Sequence, residues 1–194
     1  MSLQSRAVTM TKQMIQIEST DPGTYENAMA NWITSQLAPY PNVQLTRQEV
    51  LPGRPNLMAE LPGDPALPAL IMICHMDTVV VGDGWTLPPF EAIEKNGKIY
   101  GRGACDMKSG LACCLSAFQY AAEMLKASGK TPKQTLKLIC SMDEEDFMRG
   151  SEACIQSGWI TDHDWVIDAE PTNGQIQMAH KGRTWYEIDV QGHT

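Results

Sequence analysis

The chain has 194 residues, 43% of them apolar and 20% charged, which is enough for one domain with a sizeable core and too apolar for a disordered chain. A net charge of −8 argues against nucleic acid or an anionic membrane surface as a partner. No apolar run is long enough to span a bilayer, and the polar opening MSLQSRAVTMTKQMIQIE does not read as a signal peptide, so a cytoplasmic protein without a membrane partner is expected.

Residues 3–18 read as an amphipathic helix with Val8, Met14, Ile15 and Ile17 among its apolar positions. STDPGT breaks it, and a second helix runs from Tyr25 to Leu37, stopped by APYP. NVQLTRQEV and NLMAELPG alternate like strands, whereas PALIMIC is a continuous apolar run, the mark of a strand covered on both faces. GKIYGRGACD is a strand entering a glycine-rich turn. Met107 to Ala127 is a helix rich in Ala, Leu and Met, closed by SGK. QTLKLICSM and DWVIDAE are further buried strands, with EACIQSGW a short helix between them. The tail GRTWYEIDVQGHT alternates apolar and polar residues and predicts a half-exposed strand. Strands alternating with helices point to an α/β fold, a mixed, mostly parallel sheet flanked by helices.

The cysteines are Cys74, Cys105, Cys113, Cys114, Cys140 and Cys154. None forms a C-x-x-C pair, and the scatter reads as small hydrophobes in a reducing compartment. GRGACD lacks the third glycine of a dinucleotide fingerprint, and no G-x-S-x-G marks a serine hydrolase.

The chemistry collects where the buried strands stop. ALIMIC ends at His75 and Asp77, TLKLICSM at Asp143, Glu144 and Glu145, and DWVID at Asp168 and Glu170, while the turn before the long helix ends at Asp106. In open α/β sheets the ligand site lies beyond the carboxyl ends of the strands. Each piece alone has an ordinary explanation: DEED as a solvated turn, Asp106 as a helix N-cap, H-x-D as coincidence. Their coincidence at one sheet edge favours a site. The nearby cations are few, Arg102, Lys108 and Arg149, so one or two divalent metal ions are the economical counter-charge. Imidazole with carboxylate oxygens suits zinc, and also manganese or cobalt. Asp106 could bridge two ions, Asp77 could accept the second ring N–H of His75, and one of Glu144 and Glu145 could ligate while the other acts as general base.

ICHMDTV, GRGACDMKSG, SMDEED, DAEPT and HKG, in this order, resemble the di-zinc metallopeptidase family of acetylornithine deacetylase, succinyl-diaminopimelate desuccinylase and glutamate carboxypeptidase. The resemblance implies a zinc-peptidase-like catalytic domain and hydrolysis of the amide bond of N-acyl amino acids. Other members of such a family would be dipeptidases, carboxypeptidases or aminopeptidases, and a non-catalytic metal-binding relative is the rival from another class. Carried over by motif, His75 resembles a ligand of one zinc, Asp106 the bridging carboxylate, Glu145 a ligand of the other zinc, Glu144 the general base and Asp77 the partner of His75. Glu170 completes the first zinc, with Asp168 as its competitor. The family's further histidine ligand has no counterpart among His163, His180 and His193. The resemblance therefore implies that residues 1–181 are the N-terminal part of the catalytic domain. Residues 182–194 would open a smaller α+β lid or dimerisation domain through which a homodimer forms, and this piece alone would be inactive.

Overall fold

The computed structural model describes residues 2–179, 181, 182, 184 and 186–193. In chain order the elements are α1 (Leu3–Ile15), β1 (Thr20–Asp21), α2 (Asn27–Leu37), β2 (Gln44–Leu51), β3 (Arg54–Leu61), β4 (Leu70–His75), β5 (Thr78–Val79), β6 (Ile93–Lys95), β7 (Lys98–Tyr100), α3 (Lys108–Ser128), β8 (Leu136–Ser141), α4 (Arg149–Gln156) and β9 (Trp165–Asp168). The main sheet has the order β2-β3-β8-β4-β9. β3 pairs antiparallel with β2 and with β8, whereas β8, β4 and β9 run parallel. β4 is the middle strand of the parallel part, and its last residue, His75, lies level with Ser141 at the end of β8.

Side chains on successive strand residues point to opposite faces, so a strand covered on both sides must be apolar at nearly every position. Met72, Cys74, Leu138 and Cys140 face the larger core with Met14 of α1, Ile33 of α2 and Phe118 of α3. Ile71, Ile73 and Ile139 face the smaller core, closed by Cys154 of α4 with Trp159 and Ile160. The continuous run LIMIC is thus divided between two layers. α3 ends at Gly129 in the left-handed conformation, whose N–H bonds back to the last carbonyls. All six cysteines are free.

The tail departs from expectation. The described residues of 182–193 form no strand, and Tyr186, Ile188 and Val190 are exposed. Alternation decides which face a strand would bury, but a strand also needs a neighbouring edge to bond to, and these residues pair with none. His180 of the HKG motif lies outside the described residues.

Candidate metal centre

The topology gathers the chemistry-bearing residues as the strand ends foretold. His75 ends β4 and is 2% exposed. Around its Nε2 stand Asp106 Oδ1 at 3.1 Å, Glu170 Oε1 at 3.4 Å and Glu144 Oε2 at 3.9 Å. Ligand atoms of His75, Asp106 and Glu145 lie within 4.8 Å of one another, and so do those of His75, Glu144 and Glu170. Asp168, the competitor of Glu170, joins no such group among the described residues. Asp106 ends the turn before α3 and does not cap it: the cap position is Met107, with no side-chain hydrogen bond. Gly110, in the first turn of α3, lets the chain carrying Glu170 come close. A Cβ at Gly110 would lie 2.3 Å from the carbonyl oxygen of Ala169.

Asp77 holds His75 by a different atom from the one expected. His75 Nδ1 bonds to the backbone carbonyl oxygen of Asp77 at 2.8 Å, while the nearer carboxylate oxygen is 3.6 Å away. That carboxylate accepts instead from the backbone N–H groups of Glu144 at 3.2 Å and Glu145 at 3.0 Å. The carbonyl two residues on already satisfies Nδ1, which leaves the carboxylate to the two backbone amides.

The electrostatics follow from crowding. Burial alone would lower the pKa of His75, but the hydrogen bond to Asp106 and the charges of Asp77, Glu170 and Glu144 raise it to about 10. The hydrogen bond from His75 holds Asp106 below its ordinary value. Burial pushes Glu145 up, and burial with the neighbouring charges of Asp106, Asp168 and Glu144 pushes Glu170 to about 8. The three nearby cations are engaged elsewhere. Lys108, buried and lowered by burial to about 7, donates to the carbonyl of Ile17 at 2.8 Å. Arg102 donates to the carbonyls of Val80 and Val81. Arg149 grips Asp143 at 2.6 and 2.7 Å. Asp143 therefore points away from His75, into a second acidic group with Asp21 and Glu26 around Arg54. His163 is exposed beside Asp162, and His193 is exposed.

The donor set fits a divalent ion: one imidazole nitrogen and several carboxylate oxygens converge, with more carboxylates than the His75 imidazolium and the neighbouring Arg102 charge balance. Sequence reasoning missed the residues behind this site, Asp21, Glu26, Arg54 and Asn56. They lie on other elements, and no local pattern marks a pairing between residues so far apart in the chain.

Residues 71–191 match peptidase family M20/M25/M40, and the chain belongs to that family. A probable succinyl-diaminopimelate desuccinylase of Staphylococcus aureus strain Mu50 is 38% identical over 141 residues, 72% of this chain and 34% of the relative. The chain thus spans about a third of the length of the curated relatives it matches. Among solved structures, an M20 family metallo-carboxypeptidase of Sulfolobus solfataricus superposes with a TM-score of 0.66 at 22% identity, over 84% of this chain and 37% of that one. A Bacillus subtilis dinuclear metal-binding peptidase of the M20 family superposes with a TM-score of 0.59 at 16% identity, over 86% and 42%. These superpositions establish the mixed α/β fold. No helix among the described residues is long and apolar enough to cross a membrane.

Proposed function

We propose that this chain carries the catalytic centre of a metal-dependent hydrolase that cleaves the amide bond of N-acyl amino acids. The observation that carries the reading is the ring of three carboxylates around His75 Nε2 at the end of β4, in a member of a peptidase family. The curated relative named for a desuccinylase supports the acyl-amino-acid substrate. Residues 1–181 then form the N-terminal part of the catalytic domain, and 182–194 lead into a lid domain that would pair two subunits in the cytoplasm.

His75, Asp106 and Glu170 would hold one divalent ion, and Asp106 with Glu145 a second, zinc before cobalt or manganese. The dinuclear relative supports two ions. When bound, such ions would supply polarisation of the scissile carbonyl and would acidify a bound water. The remaining work falls to the chain. The backbone carbonyl of Asp77 fixes His75 with its proton on Nδ1, leaving Nε2 free to ligate. The Asp77 carboxylate holds the backbone of Glu144 and Glu145. Glu144, its side chain 28% exposed, takes a proton from the attacking water and returns it to the leaving amine.

A peptidase with the same centre is the second reading, favoured by the fold shared with a metallo-carboxypeptidase. The test is amino-acid release by the full-length protein from N-acetyl and N-succinyl amino acids and from dipeptides, with zinc added and then chelated. Chelator-sensitive release from one N-acyl amino acid is the expected result. Release from dipeptides alone would move the function to peptidase. Metal binding without any release would make it a non-catalytic relative.

A further inference from the structure

The turn that carries Glu144 and Glu145 leaves β8 with four consecutive backbone N–H groups unavailable to any strand or helix. Each donates to a buried side chain from elsewhere in the chain. Met142 N–H donates to Asn56 Oδ1 at 3.0 Å, Asp143 N–H to Glu26 Oε1 at 3.1 Å, Glu144 N–H to Asp77 Oδ1 at 3.2 Å and Glu145 N–H to Asp77 Oδ2 at 3.0 Å. Asp143 takes a left-handed conformation, φ 61°. The acceptors are themselves fixed. Glu26 is fully buried and is gripped by Arg54, whose Nε donates to Oε2 at 2.9 Å and whose Nη2 donates to Oε1. The same guanidinium reaches Asp21 at 2.5 Å and Asp143 at 3.3 Å and stacks 4.2 Å over the ring of Tyr25. Asn56 spends its amide N–H on the carbonyl of Gly150 at 2.8 Å, where a Cβ on that glycine would collide with Asn56 and Met142.

We infer that Glu26, held by Arg54, is a positioning residue for the two site glutamates: it sets the backbone of the turn that aims Glu144 and Glu145. This rests on the functional reading above for what the glutamates do, but not for the clamp itself. Glu26 and Arg54 lie ahead of the stretch 71–191 that matches the family. Neither touches the space around His75 Nε2. Their effect passes through backbone amides, so it is one of geometry. A group displaced by an ångström loses about a hundredfold in rate, while affinity for ground-state substrate changes little.

The experiment uses the full-length protein and three variants. Glu26→Gln keeps the shape of the side chain, but it offers one acceptor oxygen where Arg54 and the Asp143 N–H need two. Arg54→Lys replaces the fork by a point charge. Leu37→Ala, at the far end of α2, removes buried side chain away from the turn and reports instability alone. Cobalt serves as the metal probe, and hydrogen exchange is read on the metal-free protein. For Glu26→Gln the expected result is faster exchange of the amides of Asp143 and Glu144 than in Leu37→Ala. It should also show an altered visible cobalt spectrum and a kcat lower by about ten- to a hundredfold, with KM within about twofold. Arg54→Lys moves in the same direction by less, and decides the matter where Glu26→Gln fails to fold. Equal exchange, an unchanged cobalt spectrum and an unchanged kcat overturn the inference. If the wild-type protein binds no cobalt and releases no amino acid, the functional reading fails, and the exchange comparison still decides the clamp.

Discussion

Two acidic groups lie on either side of the turn after β8, and they are neutralised in opposite ways. Asp21, Glu26 and Asp143 surround the guanidinium of Arg54, and Arg149 closes on Asp143 from the other side. Asp106, Glu144 and Glu170 surround the imidazole of His75. Both sides bring ligand atoms close enough for a metal: His75 with Asp106 and Glu145, or with Glu144 and Glu170, on one, and Asp21 with Asp143 and Asp146, or with Glu26 and Asp77, on the other. Proximity alone therefore does not choose between them, but charge does. A buried guanidinium already fills the first group, and an added dication would face it at contact distance. The second has a charge deficit that a metal would make good, and its own groups register the lack: Glu170 and Glu145 are pushed up, and His75 is held protonated.

The largest effect that sharpens this contrast is loss of Asp106. Asp106→Ala removes the carboxylate nearest His75 Nε2, and we expect metal content and turnover to be lost together, measured by metal analysis after gel filtration and by the release assay. Full metal retention would remove Asp106 from the centre. Next is Glu144→Ala, which should lower kcat by about a hundred- to ten-thousandfold while leaving the metal bound. Should Glu144→Ala strip the metal and Glu145→Ala spare it, the roles of the two glutamates are exchanged.

How far these residues were legible in the sequence depends on the distance over which the physics acts. The end of LIMIC at His75, the end of LKLIC before Glu144 and Glu145, and the exit of DWVID towards Glu170 are local signals: an apolar run stops and acids begin. Continuous apolar runs placed those strands, although DWVID, read as buried, is the edge strand β9 and is exposed along its length, and the carboxyl-end rule placed their tips together. The strands β2 and β3 were legible from their alternation, but their antiparallel pairing across the turn at Gly53 was not. The role of Arg54 was not. It opens β3 as one charged residue among others, and only the fold brings Glu26 from the start of α2 and Asp143 from the end of β8 to it. The alternating tail failed for the opposite reason, since a strong local pattern there meets no partner edge. The atom by which Asp77 holds His75 was also hidden, because sequence names the residue and not which of its oxygens the nearer amides leave free.

A smaller effect concerns pH. The pKa of His75 is raised from 6.5 to about 10 and that of Glu170 from 4.5 to about 8. A raised value means that the folded form binds the proton more tightly. Each contribution is complete below the ordinary value and fades as pH rises through the folded one, so the two slopes add. Asp106, held low, has the opposite sign, but its window lies below its ordinary value and does not overlap, whereas Lys108, lowered from 10.5 to about 7, opposes the two slopes above pH 7 and offsets part of the loss. The metal-free protein should therefore melt at a lower temperature at about pH 9 than at about pH 6. Metal should flatten that slope, since a cation takes over from the protons. A flat melting profile in the metal-free protein would mean that the acids around His75 are better solvated than their spacing implies.

The smallest effect tests the first group directly. Asp21 sits 2.5 Å from Arg54 and is nearly buried, and burial raises its pKa. Asp21→Asn keeps the shape and removes one of the three carboxylates facing that guanidinium. Glu26 and Asp143 remain to satisfy it, so the cost should be about 1.5–3 kcal/mol, the worth of one hydrogen bond to a charged group. Metal stoichiometry should not change. If Asp21→Asn instead lost an equivalent of bound metal, the arginine-filled group would be part of the metal centre, and charge balance would no longer separate the two.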